Sequence, residues 1–276
     1  MTRIITLTTD FGWVDGFVGT MKGVILGINP DVTLIDITHN IAPQNIEQGA
    51  FLFAASAKYF PADAIHVVVV DPGVGGARRP IAVQVGETIF VAPDNGVLSL
   101  AISDWRAEIE SPMSHLPSPI RVVHLNKPEY WLPRVSNTFH GRDLFAPVAA
   151  HLSLGVPLEA FGDPIHDWVR LPGCTASFRA GDQIAGRVLH IDRFGNVITN
   201  VDAEMLIAMD RTHINVHIAG RQVHGLKATF SDAASGQIIA LIGSGGQLEV
   251  ALRDGNAAAA LGASVGDEVF VTLDIG

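Results

Sequence analysis

The sequence holds a single cysteine, Cys174, among 276 residues, which rules out an internal disulfide and a thiolate metal cluster. Charge is sparse as well: Asp, Glu, Lys and Arg together make up 17% of the chain, and no basic run occurs. The balance is acidic, 28 carboxylates against 18 basic side chains, for a net charge of −10. Nonspecific nucleic-acid binding needs clustered Lys and Arg to displace counterions from phosphates, so nucleic acid is not expected as a partner. Long apolar runs are also missing. None approaches the roughly 20 residues of a membrane span, and the run Ala64–Val70 stops at Asp71. The segment Met1-Thr2-Arg3 followed by Ile4-Ile5-Thr6-Leu7 has too short an apolar stretch for a secretory signal. Nothing demands an oxidising compartment, and a cytoplasmic location is expected.

What is abundant is aliphatic: 48% of residues are hydrophobic, enough to bury a sizeable core in one large domain or two ordinary ones. The first half alternates short β-branched runs with longer helical patterns. Strands are expected at Ile4–Thr9, Val32–Ile37, Val67–Val70, Ile81–Val85 and Thr88–Ala92, and helices at Phe17–Ile28, Ile46–Tyr59 and Asp143–Leu154. Continuous apolar strands separated by helices predict an α/β domain with a mainly parallel sheet. From Gly162 to Asp182 the periodicity breaks around Pro164, Pro172, Gly173 and Gly181. The expected organisation is therefore residues 1–162, a connection over 163–182, and a smaller β-rich sandwich or barrel over 183–276. Its strands fall at Gly186–Ile191, Asn196–Val201, His213–Ile218, Gln237–Ile242, Leu248–Leu252 and Asp267–Leu273. In the third of these, His213, Asn215 and His217 read as a solvated face opposite Ile214, Val216 and Ile218.

Ligands of open α/β sheets bind beyond the carboxyl ends of the strands, so polar residues just after apolar strands are the candidates for chemistry. Three junctions qualify. Thr8-Thr9-Asp10-Phe11-Gly12, followed by Asp15, offers carboxylates for a ribose diol or an ammonium group, or else caps for the next helix. Val70-Asp71-Pro72-Gly73-Val74-Gly75-Gly76-Ala77-Arg78-Arg79 puts a carboxylate and two guanidiniums on one glycine-rich loop, either as a binding loop or as a turn locked by an Asp–Arg pair. It is neither a Walker loop nor a dinucleotide fingerprint. Asn137-Thr138-Phe139-His140-Gly141-Arg142-Asp143 leads into a helix that Asp143 is placed to cap. No His-x-x-x-His helix and no Cys/His cluster occurs, so no metal is expected. Ser244 fails the Gly-x-Ser-x-Gly pattern at Ile242. Asp192-Arg193-Phe194-Gly195-Asn196 joins two strands as a hairpin turn or as a wall that reads a base.

Together, Thr9-Asp10-Phe11-Gly12, Asp36-Ile37-Thr38-His39, Val70-Asp71-Pro72-Gly73-Val74-Gly75, Ala92-Pro93-Asp94-Asn95-Gly96, Thr138 to Asp143, Phe194-Gly195-Asn196-Val197-x-Thr199-Asn200 and Gly243-Ser244 resemble the adenosine-forming S-adenosyl-L-methionine hydrolases, or hydroxide adenosyltransferases, which are related to the fluorinating and chlorinating enzymes. The resemblance runs nearly end to end. It implies a Rossmann-like N-terminal domain, a β-barrel-like C-terminal domain, and a homotrimer with its sites between subunits. It implies a small-molecule substrate, no cofactor, and attack of water on the ribose 5′ carbon with methionine leaving. The residues that match the water site are Asp71, Arg78 and His140. By the same mapping Asp10 meets the ribose diol, Asp15 and Asp192 the methionine amino group, Asn196 the adenine and Phe139 the reacting carbon, while Ser244 matches a carboxylate contact. The halide-binding serine of the fluorinating relatives falls on Gly141, their carboxylate-binding arginine on Gly245 and their ribose-packing aromatic on Gln44. Gly141 and the intact Asp71, Arg78 and His140 set favour hydrolysis over halogenation, while Gly245 and Gln44 imply a different carboxylate contact and pocket wall. The alternatives are a 5′-halogenating transferase and a non-catalytic sensor of S-adenosylmethionine or adenosine.

Overall fold

The computed structural model describes residues 2–103, 120–172, 178–180 and 183–273; Cys174 lies outside the described residues, as does much of the expected connection beyond Pro172. The chain divides into two compact units, Met1–Leu171 and Pro172–Gly276.

In the first unit, β1 (Ile4–Thr9), α1 (Phe17–Ile28), β2 (Thr33–Thr38), α2 (Ile46–Ala57) and β3 (Ile65–Val69) alternate as the sequence pattern predicts. They are followed by the antiparallel pair β4 (Pro80–Val85) and β5 (Thr88–Pro93). Two more strands, β6 (Arg121–Leu125) and β7 (Gly162–Pro164), complete the sheet, with α3 (Ala146–Ser153) between them in the chain. The order is β2-β1-β3-β5-β4-β6-β7. The first four strands run parallel, and the remaining pairings are antiparallel. Asp163 and Pro164, which the loss of periodicity assigned to the connection, pair with His124 and Val123 of β6.

Helices cover both faces of this sheet. On one, Val18, Met21 and Ile25 of α1, spaced three and four apart, join Ile5, Leu7, Val67 and Val69 and the buried residues of α3 in a single core. On the other, Phe53 of α2 packs at 5.4 Å and 5.9 Å, centroid to centroid, against His66 and Phe90. Truncating a buried phenylalanine of this kind to alanine costs about 3–5 kcal/mol. Asn45 caps α2 by accepting the Gln48 N–H at 2.9 Å. Because β1 is flanked by β2 and β3, the chain reverses its winding there, and the crevice beyond β1 and β3 is the topological switch point. Thr9 pairs with Val69, so Asp10 and Asp71 leave the sheet from adjacent strand ends.

The second unit comprises β8 (Phe178–Ala180), β9 (Gln183–Ile191), β10 (Val197–Asp202), α4 (Ala203–Leu206), β11 (Ile214–Ile218), β12 (Arg221–His224), β13 (Leu226–Lys227), β14 (Ile238–Ile242), β15 (Gln247–Leu252), α5 (Ala257–Leu261) and β16 (Glu268–Leu273). Its sheet runs β12-β11-β16-β9-β10-β15-β14-β13, and β12 lies against β14, so the sheet nearly closes into a barrel. Val188, Val197, Val216, Leu248, Val250 and Val271 help fill the interior. The short β12 and β13 had no counterpart in the expected pattern. They explain one departure: Asn215, expected on a solvated face, is buried because β12 pairs with β11 and His224 Nδ1 contacts Asn215 Oδ1.

Candidate active site

Asp71, Arg78 and His140 form one hydrogen-bonded group in the first unit. Asn95 Nδ2 donates to the carbonyl of Val70 at 2.8 Å and fixes the strand end that carries Asp71. Arg78 Nε donates to Asp71 Oδ1 and Oδ2 at 2.9 and 3.0 Å, and Nη2 also donates to Oδ2. Arg78 Nη2 lies 2.7 Å from His140 Nδ1, and the guanidinium sits 5.4 Å from the Phe145 ring centroid. The side chains of Arg78 and Asp71 are only 10% and 5% exposed, so water screens this pair little.

The geometry decides the histidine tautomer. Arginine has no lone pair to offer, so His140 Nδ1 accepts and its proton resides on Nε2. Burial lowers the His140 pKa below 6.5 and the Arg78 charge lowers it further, against partial opposition from Asp71, Asp143 and the Ser136 backbone. His140 is therefore neutral at pH 7, with its proton on Nε2.

A glycine brings the two loops of this group together. Gly75 has φ +73°, and a Cβ there would overlap the carbonyl oxygen of Asn137. The loop after Asn137 then enters a π-turn, Gly141–Phe145, before α3. Asp143, expected as the cap of that helix, lies fully buried inside the π-turn instead. Its Oδ2 accepts the Ser136 N–H at 2.8 Å, and Arg142 donates to both carboxylate oxygens. It braces the segment carrying His140 rather than capping a helix. At Gly141, a Cβ would lie 3.1 Å from Met21 Sδ, 3.3 Å from Phe139 and 3.4 Å from Phe11, which leaves no room for a serine without movement. Phe139 packs edge-on against Phe11 and Phe17 at 5.8 and 5.1 Å.

Neither carboxylate of the first junction caps α1, whose N-cap is Gly16 with no side-chain hydrogen bond. Asp10 Oδ2 instead accepts the backbone N–H of Gln44 at 2.7 Å, and Gln44 adopts φ +65°. Asp15 is exposed.

In the second unit, the Asp192 carboxylate organises its own turn. Oδ1 accepts the N–H groups of Phe194 and Asn196, each at 2.9 Å, and Oδ2 accepts Asn196 Nδ2 at 2.9 Å. Gly195 has φ +86°, and a Cβ there would overlap the Asn256 side chain. Phe194, Asn196, Phe230, Leu252, Arg253 and Gly255 line a cavity of about 520 Å³ beside this turn. Ser244 is exposed on the turn from β14 to β15, where a Cβ on Gly243 would make the Glu249 carboxyl move aside. Burial raises the Glu249 pKa and the Asp192 charge raises it further, so these two carboxylates share one electrostatic environment.

Asn95, Phe145, Asp143 and Glu249 are supporting residues that sequence reasoning missed or misassigned. Asn95 stood in the motif Ala92 to Gly96, where nothing in the sequence showed the Val70 carbonyl that it meets. Glu249 sits in an ordinary strand pattern opposite Ile198 of β10, and only the folded sheet brings its charge under the influence of Asp192.

Comparison with known proteins identifies the family. The N-terminal domain of the SAM hydroxide adenosyltransferases matches residues 5–162, and their C-terminal domain matches residues 186–270. An (R)-S-adenosyl-L-methionine hydrolase of Salinispora tropica is 38% identical over 273 residues, covering 97% of both chains. A crystal structure of an uncharacterized conserved protein from Thermotoga maritima superposes with a TM-score of 0.87 at 32% identity, covering 97% of this chain and 99% of that one. A fluorinase of Nocardia brasiliensis is 28% identical, with 90% of this chain and 89% of the fluorinase covered. Two domain matches that between them take in nearly the whole chain, and an identity of more than one residue in three to a hydrolase, place the chain in the SAM hydroxide adenosyltransferase family.

Proposed function

We propose that the chain hydrolyses S-adenosyl-L-methionine to adenosine and L-methionine, with water attacking the ribose 5′ carbon in line with the breaking carbon–sulfur bond. The observation that carries this reading is Arg78 holding Asp71 and His140 at once. The sulfonium leaves as a neutral thioether, so its departure calls for neither a general acid nor a metal. What remains is to aim a weak nucleophile and remove its proton.

The three groups divide that task. His140 Nε2–H, protonated because Arg78 occupies Nδ1, donates to the water oxygen and orients its lone pair. As the new carbon–oxygen bond forms, the oxygen becomes an oxonium and a strong acid, for which a carboxylate is a sufficient base. Asp71 takes that proton and passes it to solvent, while the carbon–sulfur electron pair stays on methionine. Arg78 fixes the orientation of both partners. Substrate recognition uses Asp10 for the ribose diol, Asp15 and Asp192 for the amino group, Asn196 for adenine, Phe139 beside the reacting carbon and Ser244 for the carboxylate. The bracing of Asp192 within its own turn supports a fixed rather than a mobile ligand.

The same reading makes the protein a cytoplasmic homotrimer with sites at subunit interfaces. Exposed Trp13, Val14 and Phe17 on the first unit, and Phe194 and Phe230 on the second, support an interface on each. Sedimentation equilibrium giving a monomer would remove the trimer from this account. The reaction itself is tested in ¹⁸O-labelled water. Adenosine labelled at its 5′ oxygen is the expected product; unlabelled adenosine, binding without turnover, or 5′-haloadenosine on adding halide overturns the assignment.

A further inference from the structure

The motif Asp36-Ile37-Thr38-His39 takes no part in the reaction just described, yet it contains a fully buried histidine beside the Asp10 loop. His39 Nε2 lies 3.0 Å from Asp36 Oδ1, and Lys22 Nζ donates to Asp36 Oδ2 at 2.6 Å. His39 Nδ1 lies 2.8 Å from Thr9 Oγ1, which accepts the Phe11 N–H at 3.2 Å. The His39 carbonyl accepts the Gly12 N–H at 2.7 Å. Thr9 and Gly12 thus bracket Asp10, and both ends of the bracket rest on one residue.

The charges around His39 favour one direction for the Thr9 hydrogen bond. Burial alone would raise the Asp36 pKa, but Lys22 and His39 hold it below the usual carboxylate value, so Asp36 is ionised. The Asp36 carboxylate, 3.0 Å from Nε2, favours the proton on that nitrogen electrostatically, although the two atoms do not align as a hydrogen bond. Burial keeps His39 neutral at pH 7, which leaves Nδ1 as a lone pair. Thr9 must therefore donate its hydroxyl proton to Nδ1 while accepting from Phe11 N–H. The reverse tautomer would turn the Nε2 lone pair towards the Asp36 carboxylate, 3.0 Å away. The register between β1 and β2 shifts between Leu7 and Thr8, which brings the end of β1 opposite Thr38 and places Thr9 within reach of His39.

From this geometry we infer that Thr9 and His39 are positioning residues that set substrate affinity by holding the Asp10-Phe11-Gly12 loop through the Thr9 hydroxyl and the His39 carbonyl, with the Asp36–Lys22 ion pair beside the imidazole. The inference rests on the reading of Asp10 as the ribose ligand. Its consequence is selective: the water-activating group contains none of these residues, so loosening these contacts weakens binding and leaves the chemical step in place.

Thr9→Val keeps the strand-favouring shape and removes only the hydroxyl, and Thr9→Ser restores that hydroxyl. The expected result for Thr9→Val is a KM for S-adenosyl-L-methionine and a Kd for adenosine each raised about tenfold, with kcat within about threefold of the parent. Thr9→Ser is expected to return both constants to within about threefold. His39→Asn retains an acceptor near the Nδ1 position and is expected to bind more tightly than His39→Gln, which keeps only the reach towards Asp36. Thermal unfolding of each variant separates loss of fold from loss of affinity. Unchanged KM and Kd in folded Thr9→Val, or a fall in kcat at constant KM, overturns the inference. Asp10→Ala, measured for adenosine binding in parallel, separates the two layers of the argument. If Asp10→Ala weakens adenosine and Thr9→Val does not, the positioning role of Thr9 is wrong. If Asp10→Ala leaves adenosine binding unchanged, the ribose assignment is wrong and this inference falls with it.

Discussion

Arg78 lies between an anion and a neutral imidazole, and its loss would damage both. Removing it leaves the Asp71 carboxylate partly buried without its counter-ion and frees His140 Nδ1, so the histidine can adopt the other tautomer. Arg78→Ala and His140→Ala are expected to lower kcat by about 10²–10⁴-fold while changing the Kd of adenosine by less than about threefold, because both act on the water. Single-turnover kinetics beside calorimetric binding checks this. Equal losses in turnover and binding would show that these residues hold the nucleoside instead. Asp71, Arg78 and His140 were all legible in the sequence as polar residues after strands or before a helix. Their mutual contacts were not, since 62 positions separate Arg78 from His140.

At the scale of elements, the triad depends on a glycine contact and a π-turn. Gly75 combines a left-handed backbone with direct apposition to the Asn137 carbonyl, and both requirements exclude a side chain. Gly75→Ala is expected to cost about 1–3 kcal/mol of stability and to push apart the loops that carry Arg78 and His140. Turnover should fall even at temperatures where the variant is fully folded, as circular dichroism and initial rates would report together. Full activity in the folded variant would mean that the loops meet without this contact. Helix α1 and strands β1 and β3 were readable because their apolar spacing is strong. The π-turn was hidden, because Gly141 to Phe145 runs into α3 with the same helical pattern and only the buried Asp143 distinguishes it. Strands β6 and β7 were hidden too, being short segments that join the sheet only through partners far along the chain.

For the whole molecule, acid sensitivity is built into the core. Burial lowers the pKa of His66 from 6.5 to about 4 as it stacks on Phe90 with its Nδ1 2.7 Å from Thr6 Oγ1. Between those values the unfolded chain binds a proton that the folded chain does not. Stability is therefore fully present above about pH 6.5 and falls as pH drops towards 4, by roughly 3 kcal/mol from this residue. Urea denaturation at pH 7.5 and pH 4.5 should show a smaller fall for His66→Phe than for the parent, and parallel falls would acquit His66. The sequence by itself determined the alternation of strands and helices, the β-rich second half, and the family to which the ordered motifs belong, because these depend on local periodicity and on residue identity. Only the tertiary structure decided which way each proton points: Nδ1 of His140 turned to Arg78, Nδ1 of His39 turned to Thr9, and Asp143 drawn into a π-turn. Hydrogen-bond direction is a property of paired groups, and the pairs form only when distant strand ends are brought side by side.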